Sequence, residues 1–122
     1  MVRRTIVSAA LALTVSAGLL GARAQEAQTF VVGSHMPLTG ALARSGQAFN
    51  EGMQVAATMC NAASPRHKIR IDVIDDESTP AKAVSAVEKL SSDGAVAIIG
   101  GYGSNIIGPA SDAASKLGKV YI

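Results

Sequence analysis

Ala95-Val96-Ala97-Ile98-Ile99-Gly100-Gly101-Tyr102-Gly103-Ser104-Asn105 is the stretch on which the fold turns. Five apolar residues without polar alternation describe a short strand covered on both faces. The glycines that follow describe a loop, and the helix-like Pro109-Ala110-Ser111-Asp112-Ala113-Ala114 comes after it. Strand, glycine loop, helix is an order that presents backbone N–H groups and a hydroxyl at a helix N-terminus. The first N–H groups of a helix lack partners and the helix dipole favours negative charge, so such a place binds anions. The spacing argues against a dinucleotide. Ile106 stands where a G-x-G-x-x-G pattern would carry its third glycine, and no G-x-x-x-x-G-K-[ST] segment occurs.

Working outward, the same alternation of strand and helix recurs. Residues 29–34 are rich in β-formers and read as a first strand, followed by a loop marked by Pro37 and Gly40. From about residue 47 to 61, Phe49, Met53, Ala56 and Cys60 fall at helical offsets, and the helix stops near Pro65. Cys60, the only cysteine, cannot form an internal disulfide and is expected on the buried face of that helix. Residues 68–74 alternate, with Ile69, Ile71 and Val73 opposite Lys68, Arg70 and Asp72, as a strand with one face less covered. Asp75-Asp76-Glu77-Ser78 reads as a solvated exit loop. Thr79-Pro80 opens a second helix and Asp93-Gly94 ends it. The third helix spans residues 109–116, and 119–122 begin a fourth strand. The order β-α-β-α-β-α-β predicts an α/β fold: a three-layer, Rossmann-like (flavodoxin-like) parallel sheet with helices on both faces. A fourth strand with no helix after it leaves an apolar edge uncovered, so the sequence is expected to be a fragment of a longer protein or a prematurely ended one.

The N-terminus speaks to compartment. Arg3 and Arg4 precede an apolar run over residues 6–20, and Ala22-Arg23-Ala24 places small residues at the −3 and −1 positions of a cleavage site. Residues 1–24 therefore read as a secretory signal peptide, cut before Gln25, rather than a membrane anchor. Without Arg3, Arg4 and Arg23, eight Lys and Arg face nine Asp and Glu, so the formal +2 of the whole chain becomes −1. Neither that charge nor the four aromatics Phe30, Phe49, Tyr102 and Tyr121 suits a nucleic-acid platform. His35 and His67 lack a base-orienting partner in the sequence, and Asp75, Asp76 and Glu77 have no second ligand cluster. The chain is accordingly read as a non-enzyme with no metal and no cofactor.

Several separated motifs carry a resemblance. Val32-Gly33-Ser34-His35-Met36-Pro37-Leu38-Thr39-Gly40 followed by Gly46 and Gly52 is similar to the opening of the bacterial periplasmic solute-binding proteins of the leucine/isoleucine/valine-binding type. So is Asp75-Asp76-Glu77-Ser78-Thr79-Pro80-Ala81-Lys82-Ala83, and so is Ile98-Ile99-Gly100 leading to Ser104 and Pro109-Ala110-Ser111-Asp112. The likeness spans nearly all of residues 29–122. It implies that residues 25–122 are part of the N-terminal lobe of a two-lobed receptor. Such a receptor closes on a small solute in the periplasm and hands it to an inner-membrane ABC permease.

The resemblance also implies site residues. Ser104 matches a serine that binds the solute's carboxylate, and Ser45 matches a position that lines the pocket. Ser45 replaces an aromatic that members binding branched-chain amino acids can carry. Gly101 and Gly103 let the backbone approach a ligand or turn sharply, and Tyr102 and Asn105 are expected to line the cleft. For Ser104 a simple helix cap is the alternative role. A monomer is expected, with an amino acid or related carboxylate as its solute. The alternative function is the ligand-sensing lobe of a receptor or regulator built on the same fold.

Overall fold

A computed structural model describes residues 26–122, so the signal-peptide expectation for residues 1–24 lies outside the described residues. Seven elements follow in the expected order: β1 (Gln28–Met36), α1 (Ala43–Ala63), β2 (His67–Asp75), α2 (Pro80–Ser92), β3 (Ala97–Gly100), α3 (Ser104–Lys116) and β4 (Val120–Tyr121). All strands are parallel and the sheet runs β2-β1-β3-β4.

Strand order dictates where the helices go. The chain moves from β1 to β2 in one direction, then crosses back over β1 to reach β3 and continues outward to β4. Right-handed crossovers made in opposite directions place their helices on opposite faces. Hence α1 lies on one face and α2 and α3 pack together on the other.

The α2/α3 face holds the core. Ala83, Val87 and Leu90 of α2 and Ile106, Ala110 and Ala114 of α3 close over Ile98 of β3, with Val31, Ile74 and Tyr121 at the margin. Gly33 of β1 lies under Leu90: a Cβ there would come within 3.0 Å of that side chain. On the other face, among the described residues, only α1 is present. Ala57 is buried and Met53 partly so, and Ser34 Oγ of β1 donates to Met53 Sδ at 3.7 Å. Beside α1 runs an open groove of about 210 Å³ floored by Val32, Ile69, Ile71 and Ile99.

That bare half-face overturns one expectation. The stripe Phe49, Met53, Ala56 and Cys60 is helical as read, but it is not the buried face of α1, and Cys60 is exposed. Alpha-helix α1 rests on β2 and β1, and the flank bearing Met53, Ala56 and Cys60 borders the groove, where no described helix covers it. Two helix starts also shift. Helix α1 begins at Ala43 rather than near 47, and Gly46 takes part in its first turn, where it touches the Pro37 carbonyl. Helix α3 begins at Ser104 and carries Pro109 inside it. Proline there forfeits one helical hydrogen bond, and Gly108 before it has no Cβ to clash with the ring.

Candidate functional site

In an open parallel sheet ligands sit beyond the carboxyl ends of the strands, where successive crossovers leave in opposite directions. Here that point lies between β1 and β3, and two loops flank it: Pro37–Leu42 before α1, and Gly101–Gly103 before α3. They touch. A Cβ on Gly103 would come within 3.3 Å of Leu42 Cδ1, and the rings of Phe49 and Tyr102 lie 5.7 Å apart, tilted by 41°.

The glycine loop is built as its sequence demands. Gly103 is the N-cap of α3 with φ +96°, a conformation that suits glycine, and no side chain caps the helix. Ser104, the first residue of the helix, is therefore not its cap. Its hydroxyl and that of Ser45 are left for other partners. The N–H groups of Ser104 and Asn105 find no acceptor among the described residues. Ser104 and Asn105 are exposed, Tyr102 is 38% exposed, and Gly103 is half-buried. Ser45 is half-buried in the first turn of α1 rather than in the loop before it. Four of the five expected site residues thus stand together at the start of α3, and Ser45 stands apart from them in the first turn of α1.

The β1–α1 loop is braced from β2, a feature that sequence reasoning missed. Asp75 accepts hydrogen bonds from Leu38 N–H (2.9 Å), Thr39 N–H (3.2 Å), Thr39 Oγ1 (2.6 Å) and Glu77 N–H (2.8 Å). Burial pushes its carboxyl upward, but these donors prevail and hold it below the ordinary carboxylate value. Ser78 donates through Oγ to the Thr39 carbonyl (2.7 Å) and accepts from Leu42 N–H (3.0 Å). Glu77 and Ser78 both take positive φ, 51° and 57°, a strain that persists where the surroundings over-determine it.

Asp76 corrects a second expectation. It is fully buried, not solvated, and its Oδ2 lies 2.9 Å from Nδ1 of the equally buried His35. The available signal was position: both residues stand at the carboxyl ends of adjacent parallel strands.

A family model described as periplasmic binding protein matches residues 29–122. The chain belongs to the periplasmic binding protein family. It is 33% identical over 115 residues to an amino acid binding protein of Pseudomonas aeruginosa, covering 92% of this chain and 30% of that one. It is 32% identical over 94 residues to Leu/Ile/Val-binding protein homolog 1 of Brucella abortus, covering 75% and 25%. Among solved structures, the branched-chain amino acid transporter substrate-binding protein LivJ of Streptococcus pneumoniae, in complex with isoleucine, superposes with a TM-score of 0.73. That match has 28% identity over 77% of this chain and 28% of that one. The chain thus spans about a quarter to a third of the length of these relatives. The family fold, a parallel α/β lobe, is the fold expected from the sequence.

Proposed function

We propose that this chain supplies one wall of the solute site of an ABC-transporter substrate-binding protein. The protein captures a small carboxylate-bearing solute, an amino acid of branched-chain or related type, in the periplasm and delivers it to an inner-membrane permease. It acts as a monomer and a binder, without catalysis. Residues 1–24 serve as its export signal and residues 25–122 as part of its first lobe. The observation that supports this reading is the pair of N–H groups at Ser104 and Asn105 with no acceptor among the described residues, beside the Ser104 hydroxyl, at the crevice between β1 and β3. A carboxylate there accepts both N–H groups and the hydroxyl. Gly103 lets the backbone come close, while Tyr102 and Ser45 line the approach.

Magnitudes say why one wall is not enough. Hydrogen bonds to a charged group contribute about 1.5–3 kcal/mol each, so three contribute roughly 5–9 kcal/mol. Association costs about 4–15 kcal/mol in lost freedom and ordering. Residues 25–122 alone are expected to show no measurable heat with L-leucine or L-isoleucine by calorimetry. A longer protein containing this chain and a second lobe is expected to bind one of them, and Ser104→Ala in that protein to weaken binding about tenfold or more. Unchanged affinity in the Ser104→Ala protein removes Ser104 from the site.

A further inference from the structure

Beneath the glycine loop lies a buried polar cluster that solute contact does not require. His35 and Asp76 are completely buried. His35 Nε2 lies 2.7 Å from the Tyr121 hydroxyl, and that hydroxyl donates to the Gly100 carbonyl at 2.7 Å. The backbone repeats the connection. Gly101 N–H donates to the His35 carbonyl (2.8 Å), Gly100 N–H to the Ile122 carbonyl (3.0 Å) and Asp76 N–H to the Met36 carbonyl (3.1 Å). Asp76 Oδ1 also accepts from Ser78 N–H at 3.0 Å. Groups from the ends of all four strands therefore meet under Gly100 and Gly101.

The fit is close. A Cβ on Gly101, where φ is +90°, would come within 2.8 Å of His35 Cε1 and 3.2 Å of the Tyr121 hydroxyl. The loop rests directly on the imidazole and the phenol. Proton counting adds a constraint. The phenol carries one proton; once it is given to Gly100, Nε2 must donate to the phenol oxygen. The proton between Nδ1 and Asp76 then comes from either partner, from Nδ1–H to a carboxylate or from a carboxylic acid to Nδ1. With the ring proton on Nδ1 alone, Tyr121 must choose between Nε2 and Gly100.

A buried pair of this kind is weak evidence for stability, since an apolar replacement of similar volume is often as stable. Its location instead assigns it a task. We propose that His35 is a positioning residue for the glycine loop. Held by Asp76, it orients the Tyr121 hydroxyl onto Gly100 and so sets where Gly101–Ser104 present their donors. The proposal rests on the reading of that loop as one wall of the solute site, but its test follows the loop, so the two can fail separately.

The experiment uses the full chain, ¹⁵N-labelled, as wild type, Tyr121→Phe and Val87→Ala. Tyr121→Phe keeps the ring and removes only the hydroxyl. Val87→Ala opens the core on the same face without touching the cluster and serves as the control for general destabilisation. The expected result is a far-UV spectrum unchanged in both variants. In Tyr121→Phe alone, the amide signals of Gly100, Gly101 and Gly103 move and Gly101 exchanges about tenfold faster, the loss of one hydrogen bond. Imidazole ¹⁵N shifts should report Nε2 of His35 as the protonated donor in the wild type. Loop amides in Tyr121→Phe that match those of Val87→Ala overturn the proposal, as does a wild-type ring whose Nε2 is an acceptor. Titration of the same samples with L-isoleucine bears on the solute reading alone.

Discussion

The two faces of the sheet are built from similar residues and end in different states. On the α2/α3 face, Ile98, Ile106, Val87 and Leu90 lose nearly all contact with water. On the α1 face, Ile69, Ile71 and Ile99 are only half-buried, and Phe49, Val55 and Met59 on the helix above are 54–67% exposed. Composition does not explain the contrast. Topology does: two of the three crossovers run in one direction, so two helices fall on one face and one on the other. A face that is apolar in sequence is buried only where an element exists to cover it.

The sharpest way to break this comparison is a matched pair of truncations. Ile98→Ala should cost about 2–5 kcal/mol, the usual range for a cavity in a closed core. Ile71→Ala should cost less than about 2 kcal/mol, because part of its surface already meets water. Urea denaturation of both variants measures the gap, and equal losses would erase the distinction between the faces.

A middle-sized effect concerns the seam where both faces end. Asp75→Asn should cost about 1–3 kcal/mol near neutral pH, because four donors converge on that carboxylate. Asp75 is held below its ordinary value of 3.8 in the folded state. Its contribution is therefore fully present above that value and disappears as pH falls through the lower, folded value. Wild type and variant should converge in thermal midpoint once pH has fallen through that folded value, and a gap that persists in stronger acid would assign the loss to shape rather than charge.

Tyr121 gives the opposite sign. Burial first, and the Asp76 charge second, push its hydroxyl up to about 12. Its contribution is intact below its ordinary value of 10.0 and is lost as pH rises toward 12. Absorbance titration should show one tyrosine ionising only near that pH, and Tyr121→Phe should remove that late step.

The smallest effect belongs to the open face. Met59→Lys, at a side chain 67% exposed, should change stability by no more than about 0.5 kcal/mol while reducing binding of a hydrophobic dye. A large destabilisation would mean that Met59 is covered after all.

The same contrast explains what could be read from the sequence. All seven elements and the parallel class were legible, because periodicity, Pro and Gly punctuation and strand composition are local signals. The start of α3 was not: Pro109 looks like a first helical residue, yet the helix begins five residues earlier, directly after the positive-φ Gly103. Cys60 was misplaced because periodicity shows that a helix has an apolar stripe, not whether anything lies against it. At the candidate site the glycine loop was legible because its residue types are unusual. Asp75 and Asp76 were not, because their partners lie some 36 to 41 positions away and an acidic run by itself looks solvated.

The pairing of Gly100 with Ile122 also bears on the order in which the molecule takes shape. Strands β1 and β2 come first along the chain, yet the stem of the glycine loop takes a backbone acceptor from residue 122, at the far end of the sheet. The crevice at the end of β1 is thus finished from its outer edge inward. A chain cut before Tyr121 would carry a glycine loop without its floor.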